Sequence, residues 1–181
     1  MTTDERYRSV ADAFSTRLAG VDENQWSLPT PCADWTVSDL AAHVITTHRR
    51  VLCAVDGGEP AVVDAEADLA VEWRQASQAI ADAVADEAKA NTTVGGMFGE
   101  QPFESLVARL LCSDTLIHTW DLARATGQDE RLDPAAVARC EEFLAPIDEA
   151  IRRPGGFAPK IEPPADADGQ TRFLNFCGRA V

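Results

Sequence analysis

Apolar residues recur at helical spacing along most of the chain, and the alternating β-branched pattern that marks strands is nearly absent. The first helix is predicted from about Thr3 to Leu18, with Gly20 at its end. The second is predicted from about Val37 to Ala54, where Thr36 and Asp39 form a start that resembles a capping box. A loop rich in proline, with two tryptophans, joins these helices.

The same periodicity predicts further helices, with a short extended piece at 92–94 and an irregular crossing rich in Pro and Gly at 152–169. Their predicted bounds are about Ala65 to Ala88, Pro102 to Thr126 before a Gly127 cap, Pro134 to Ile151, and a short helix from Thr171 to Arg179. Together these elements predict an all-α protein, a four-helix bundle with two additional C-terminal helices.

Composition excludes several classes of partner. A chain of 181 residues suits a single domain over 1–181, and its net charge of -14 repels phosphate backbones and anionic lipids. We therefore expect no nucleic acid and no membrane as partner. No apolar run is long enough to span a membrane, and the N-terminal "MTTDERYRSV" lacks a signal-peptide core, so a soluble cytoplasmic protein is expected. Both a monomer and a homodimer remain open.

Five cysteines are scattered along the chain without a CxxC motif, which excludes a zinc ribbon and a thioredoxin motif. They are Cys32, Cys53, Cys112, Cys140 and Cys177. Most are expected to be small buried residues in a reducing compartment. Cys32, in the loop "TPCADW", is the one to test for reactivity.

The segment "LLCSDTLIHTWDLARATG" contains the main candidate chemistry, because Asp114 and His118 stand four residues apart within an apolar stripe. A buried carboxylate must be paired, protonated or bound to metal. In one interpretation Asp114 accepts a hydrogen bond from His118 or Thr47. In the other, Asp114 and His118 join His43, on the inner face of the second helix, around a divalent metal. Two imidazoles and a carboxylate suit zinc, nickel or iron(II), and spacing alone leaves both interpretations open.

Two neighbouring residues could support such a site. Asp121 lies one turn beyond His118 and could orient its imidazole or form a salt bridge with Arg124; spacing does not decide between them. His48 lies about 140° around the helix from His43, so it is expected to be solvated rather than to line a pocket mouth.

Other side chains are weaker candidates for a role in the site. Arg49 and Arg50 are expected to balance the acidic surface, although they could attract an anionic thiol or substrate. Trp35 and Trp120 are expected to fill the core rather than to line the site. Cys112 lies about 200° around the helix from the candidate carboxylate, which argues against a fourth ligand there.

Two motifs, "WSLPTPCADWTVSDLAAHV" and "DTLIHTWDLARATG", together resemble the DinB-like superfamily. More closely, they resemble the metal-binding domain of the mycothiol-dependent maleylpyruvate isomerase family, and the closing "DADGQTRFLNFCGR" is similar to the end of single-domain members. The resemblance, which covers nearly the whole chain, implies a bundle that holds a divalent metal, commonly zinc, on His43, Asp114 and His118. The isomerase itself carries Glu at the position of Asp114.

The resemblance also implies a type of chemistry, the attack of a low-molecular-weight thiol on a small electrophile. Three protein ligands leave coordination positions open, as in catalytic zinc sites. We therefore expect a thiol-dependent transferase or isomerase-type enzyme. Isomerisation of maleylpyruvate itself is not expected, because the resemblance does not extend to the isomerase's second domain.

Two other functions remain possible on the sequence. The chain could be a non-catalytic metal- or ligand-binding or stress-linked module, or a metal-free bundle in which the Asp114–His118 pair fixes the helix register. A site closed by a fourth side chain, such as His48 or Cys112, would favour a structural role.

Overall fold

The computed structural model describes residues 1–63, 67–95, 99–152 and 156–181, which are mostly helical. The chain divides into two compact units, Met1–Asp129 and Glu130–Val181. The single domain over 1–181 stays a prediction.

The first unit is a four-helix bundle, as predicted. Helix α1 packs against α3 and α6, and α2 packs against the same two helices. The two short strands pair antiparallel, with Thr93 opposite Pro102. The elements of this unit are α1 (Thr3–Ala19), α2 (Val37–Asp56), α3 (Leu69–Ala85), α4 (Glu87–Ala90), β1 (Thr93–Val94), β2 (Gln101–Pro102), α5 (Phe103–Leu106), a π-helix (Val107–Leu111) and α6 (Cys112–Thr126).

The second unit contains the C-terminal helices. They are α7 (Pro134–Leu144), a 3₁₀ turn (Ala145–Ile147), α8 (Asp148–Ile151) and α9 (Gly169–Phe176), and α7 packs against α9. The predicted continuous helix to Ile151 is wrong in detail. It is interrupted at Pro146, which has no N–H to donate. Helix α9 begins earlier than predicted, because the Asp168 side chain accepts the Thr171 N–H and caps it. Residues 153–155 of the predicted crossing lie outside the described residues.

Helix α2 begins at the predicted capping box. The Thr36 hydroxyl accepts the Asp39 N–H at 3.2 Å, and the Asp39 carboxylate accepts the Thr36 N–H at 2.9 Å. The Thr36 hydroxyl also donates to the Asp39 carboxylate at 2.5 Å. This hydrogen bond first, and then the one from the Thr36 N–H, lowers the pKa of Asp39. Just before the helix, Pro29 and Thr36 form an antiparallel bridge that closes the preceding loop. The cap therefore fixes both the start of α2 and the end of the loop.

The predicted third helix differs from the structure at its ends. The third helix begins at Leu69, capped by Asp68, and the predicted start at Ala65 lies outside the described residues. It ends at Ala85, because Asp86 is extended and caps the short α4 instead. The predicted extended piece coincides with β1, whereas residues 96–98 of the loop lie outside the description.

The predicted fourth helix is wrong at its first residue. Pro102 belongs to β2, with an extended backbone, and the helical segment starts one residue later. This segment is not uniform either, because the π-helix interrupts it before α6. Gly127 ends α6 with φ of 70°, in the left-handed conformation that the sequence predicts for a glycine cap.

The bundle core combines aliphatic and aromatic side chains from all four long helices. Phe14 packs edge-on against Trp73, with ring centroids 4.7 Å apart. Fully buried residues beside them include Leu40, Val44, Ile45, Ile80 and Leu111. Among the described helices, none has the length and apolar character that crossing a bilayer requires.

The expectation that His48 is solvated is wrong. The side chain is 0 % exposed and lies between the rings of Tyr7 and Trp73. Its Nδ1 donates to the carbonyl of Val44 at 2.8 Å, and its Nε2 has no hydrogen-bond partner among the described residues. Burial lowers the pKa of His48 to about 4, so the core contains a neutral imidazole.

We predict that acid weakens the fold through His48. The imidazole pKa is 6.5 when unperturbed and about 4 in the folded chain, so the unfolded chain takes up the proton first. Stability is therefore lost as pH falls from 6.5 towards 4. The linkage between protonation and folding gives a loss of about 2 kcal/mol in the free energy of unfolding between about pH 7 and about pH 5 from this residue.

The measurement is urea unfolding of the wild type and His48→Gln across this pH range. The variant should show a flatter pH dependence, whatever its stability at neutral pH. Parallel pH profiles for the two proteins would contradict the prediction.

Candidate metal centre

Helices α2 and α6 bring the three predicted site residues together. His43 lies on α2, and Asp114 and His118 lie one turn apart on α6. Asp114 Oδ1 is 3.3 Å from His43 Nε2 and 3.6 Å from His118 Nε2. One ligand atom from each of the three residues lies within 4.8 Å of the other two. The three residues that the sequence predicted to face the bundle interior therefore lie together in one compact group.

The distances fit a metal as well as they fit a hydrogen-bonded cluster. Zinc bonds of about 2.0–2.2 Å place neighbouring ligands of a tetrahedral site roughly 3.3 Å apart. The second oxygen of Asp114, Oδ2, is buried and has no hydrogen-bond partner among the described residues. A buried carboxylate oxygen without a donor is costly, and a cation would satisfy it. The donor set therefore fits a divalent metal.

Opposite charges dominate the electrostatics of the group. Burial would raise the pKa of the Asp114 carboxyl, but the charge and hydrogen bonding of His118 and His43 outweigh it and hold this pKa well below its usual range. Burial would lower the pKa of His118, but Asp114, Asp121 and Cys32 outweigh it and raise this pKa well above 6.5. Without a metal, the site is thus a buried ion pair of Asp114 with His118.

Asp121 makes the contact that orients His118. Its carboxylate is 0 % exposed, and Oδ2 accepts from His118 Nδ1 at 3.0 Å. Of the two roles left open for Asp121, the structure shows the hydrogen bond to the imidazole. When His118 is neutral, this contact favours the proton on Nδ1, so that the lone pair of Nε2 is directed toward Asp114 and His43.

The loop before α2 adds Trp35 and Cys32 to the group. The Trp35 ring centroid is 4.6 Å from that of His43 and 5.9 Å from that of His118. Trp35 is half-buried, packs against the core as expected and also lines the site. The core position expected for Trp120 is confirmed, because its side chain is fully buried.

Cys32 contacts the other side of the same histidine. Its thiol lies 3.9 Å from His118 Nδ1 and donates to Asp121 Oδ2 at 3.3 Å. Hydrogen bonds from the Thr30 N–H and hydroxyl to the Trp35 carbonyl, both 3.0 Å, fold the loop that carries it. The sequence marked Cys32 as a thiol to test but did not indicate these contacts.

Three other candidates lie away from this group. His48 is part of the core described above. Cys112 is buried and belongs to neither group of potential metal ligands found among the described residues. Arg49 pairs with Glu72, and its guanidinium also donates to the Ala61 carbonyl.

Comparison with known proteins places the chain in a family. The family described as "Mycothiol maleylpyruvate isomerase N-terminal domain" matches residues 7–123. The chain belongs to this family. The matched range includes the whole of the candidate group, and the resemblance found in the sequence is confirmed.

Two relatives come from Mycobacterium tuberculosis. They are the uncharacterised protein Rv0738 of strain H37Rv and the uncharacterised protein MT0763 of strain CDC 1551. Each is 35 % identical over 183 residues, covering 97 % of this chain and 96 % of the relative. No solved structure matches the chain significantly.

We predict that Asp114→Asn lowers the pKa of the His118 imidazole in the metal-free protein. The amide keeps the shape of the side chain but removes the negative charge that favours the imidazolium. NMR titration of the imidazole nitrogens in the presence of a chelator measures this directly. An unchanged His118 titration would contradict the electrostatic account.

Proposed function

We propose that this protein binds one divalent cation through His43, Asp114 and His118 and uses it to activate a low-molecular-weight thiol. Zinc is the proposed metal, with nickel and iron(II) as alternatives for the same donor set. The proposed reaction is the attack of that thiol on a small electrophile, of transferase or isomerase type. One observation carries the proposal: two histidines converge on the half-buried Asp114 carboxylate, whose buried second oxygen lacks a hydrogen-bond partner among the described residues.

Solvent access supports an open, catalytic type of site over a closed structural one. The His43 side chain is 33 % exposed and that of Asp114 is 18 % exposed, so a small molecule can approach from this side. Among the described residues, no fourth His, Cys, Asp or Glu joins these three within ligand distance. Structural zinc sites in proteins are usually closed by a fourth side chain.

The chain's own residues would prepare the site for this chemistry. Asp121 keeps the proton of a neutral His118 on Nδ1, which leaves the lone pair of Nε2 to bind the cation. The Trp35 ring shields one side of the two histidines from water. When bound, a divalent cation supplies Lewis acidity, which favours the deprotonated form of a thiol or a water near neutral pH.

The family supports the thiol as co-substrate. Its description names mycothiol, whereas the two relatives are uncharacterised and name no activity. We propose a small-molecule substrate, and neither nucleic acid nor membrane as partner, because a net charge of -14 repels both phosphate backbones and anionic lipids. We also propose a cytoplasmic location and a monomeric or homodimeric state.

We predict near-stoichiometric metal in protein purified without chelators, measured by elemental mass spectrometry. His118→Ala should lose it, because the variant removes a nitrogen ligand and leaves Asp114 with His43 alone. His48→Gln is the matched control, since it changes another buried histidine outside the group, and it should retain the metal. A wild type that contains no metal and takes up neither zinc nor nickel would refute the proposal.

We also predict that the zinc-loaded protein accelerates the reaction of a small thiol such as mycothiol with the fluorogenic electrophile monobromobimane. His43→Ala and chelator treatment of the wild type should each return the rate to that of the uncatalysed reaction. Added zinc should restore the accelerated rate in the chelator-treated wild type but not in His43→Ala. A protein that holds zinc but gives no acceleration with any tested thiol would instead be a non-catalytic metal-binding module.

A further inference from the structure

His118 belongs to two groups of potential metal ligands, one on each ring nitrogen. Its Nε2 faces His43 and Asp114, while its Nδ1 faces Cys32 and Asp121. In the second group, as in the first, one ligand atom from each residue lies within 4.8 Å of the others. The second group differs chemically, because it contains a sulfur.

We propose that Cys32, His118 Nδ1 and Asp121 form a second metal position that takes thiophilic cations such as cadmium. The position shares His118 with the proposed zinc site but does not depend on that site binding zinc. Soft cations prefer thiolate ligands, whereas the first group offers only nitrogen and oxygen.

The separations between the donor atoms fit one cation. The Cys32 sulfur is 3.9 Å from His118 Nδ1 and 3.3 Å from Asp121 Oδ2, and the last two atoms are 3.0 Å apart. Zinc-like bonds of about 2.3 Å to sulfur and about 2.0 Å to nitrogen or oxygen give ligand separations of roughly 3.3–3.6 Å at tetrahedral angles. Shifts of a few tenths of an ångström would therefore complete this position.

The accessibility of the group suits capture of an ion from solvent. Cys32 is half-buried on a loop, whereas Asp121 is fully buried on α6. An ion would enter past the thiol and meet the Asp121 carboxylate. On binding, the thiol and the Nδ1–H each lose a proton to solvent, and His118 keeps on Nε2 the proton that it carries in the metal-free ion pair with Asp114.

The two positions exclude each other. A neutral imidazole has one lone pair and one N–H, so a cation on Nε2 requires the proton on Nδ1, and a cation on Nδ1 requires the opposite. A thiophilic cation on Cys32 should therefore displace zinc from the first position without touching His43 or Asp114. The tautomer of a single histidine selects the class of metal.

The test is a titration of the metal-free protein with cadmium chloride, followed by the ultraviolet charge-transfer absorption of cadmium bound to thiolate. The wild type should develop this band and saturate at one cadmium per chain. Cys32→Ser should lose the band. Cys53→Ser is the matched control, because Cys53 is the other half-buried cysteine and lies on α2; it should behave as the wild type. His43→Ala should also retain the band.

Three outcomes would overturn the proposal: no band in the wild type, an equal band in Cys32→Ser, or loss of the band in Cys53→Ser. Circular dichroism checks the fold of each variant. Alkylation of Cys32 in the folded wild type, mapped by mass spectrometry, gives the same test without a substitution, and it should abolish the band.

Zinc content in the same proteins keeps the two proposals separate. Cys32→Ser should still bind zinc, and His43→Ala should not, if the first position is the zinc site. A cadmium band in a protein that contains no metal as purified and takes up neither zinc nor nickel would refute the proposed function and support this position. Adding cadmium to the zinc-loaded wild type should release zinc one for one, whereas two metals held together on one chain would contradict mutual exclusion.

Discussion

The buried charge of Asp114 is the constraint on which this site depends. A carboxylate inside a helical bundle is expensive unless opposite charge or a cation compensates it. His118, one turn along α6, and His43, across from it on α2, supply that compensation at 3.6 and 3.3 Å. Replacing either histidine would leave the Asp114 carboxylate with less compensating charge and hydrogen bonding. The same three residues therefore hold two helices in register and define the candidate metal centre.

Much of this arrangement was predictable from local patterns. Four-residue spacing puts Asp114 and His118 on one face, and the apolar stripe of α2 indicates that His43 faces inward. His48 was mispredicted because a stripe defines one buried face, whereas α2 is flanked by both α3 and α6 and so buries a second one. For Asp121, spacing allowed either His118 or Arg124 as partner, and the hydrogen bond to His118 depends on how the side chains are oriented in the folded protein.

Other features carry no local signal. The π-helix at Val107–Leu111 contains ordinary helix-forming and apolar residues, so nothing in its sequence marks the irregular hydrogen bonding just before α6. The contact of Cys32 with Asp121 joins positions 89 residues apart, and no periodicity links a loop to a helix at that distance. The Trp35 ring reaches the histidines for the same reason: the folded loop places it there.

The residues of the site are also far apart in the sequence. His43 and Asp114 are 71 positions apart, and the loop thiol precedes both. A nascent chain that has completed α1, α2 and α3 has only one of the three donors of the first group. The full set exists only once α6 has emerged from the ribosome and docked against α2. Metal loading at the proposed centre would therefore be a late event in biosynthesis, and a translation product truncated before Asp114 would lack the site altogether.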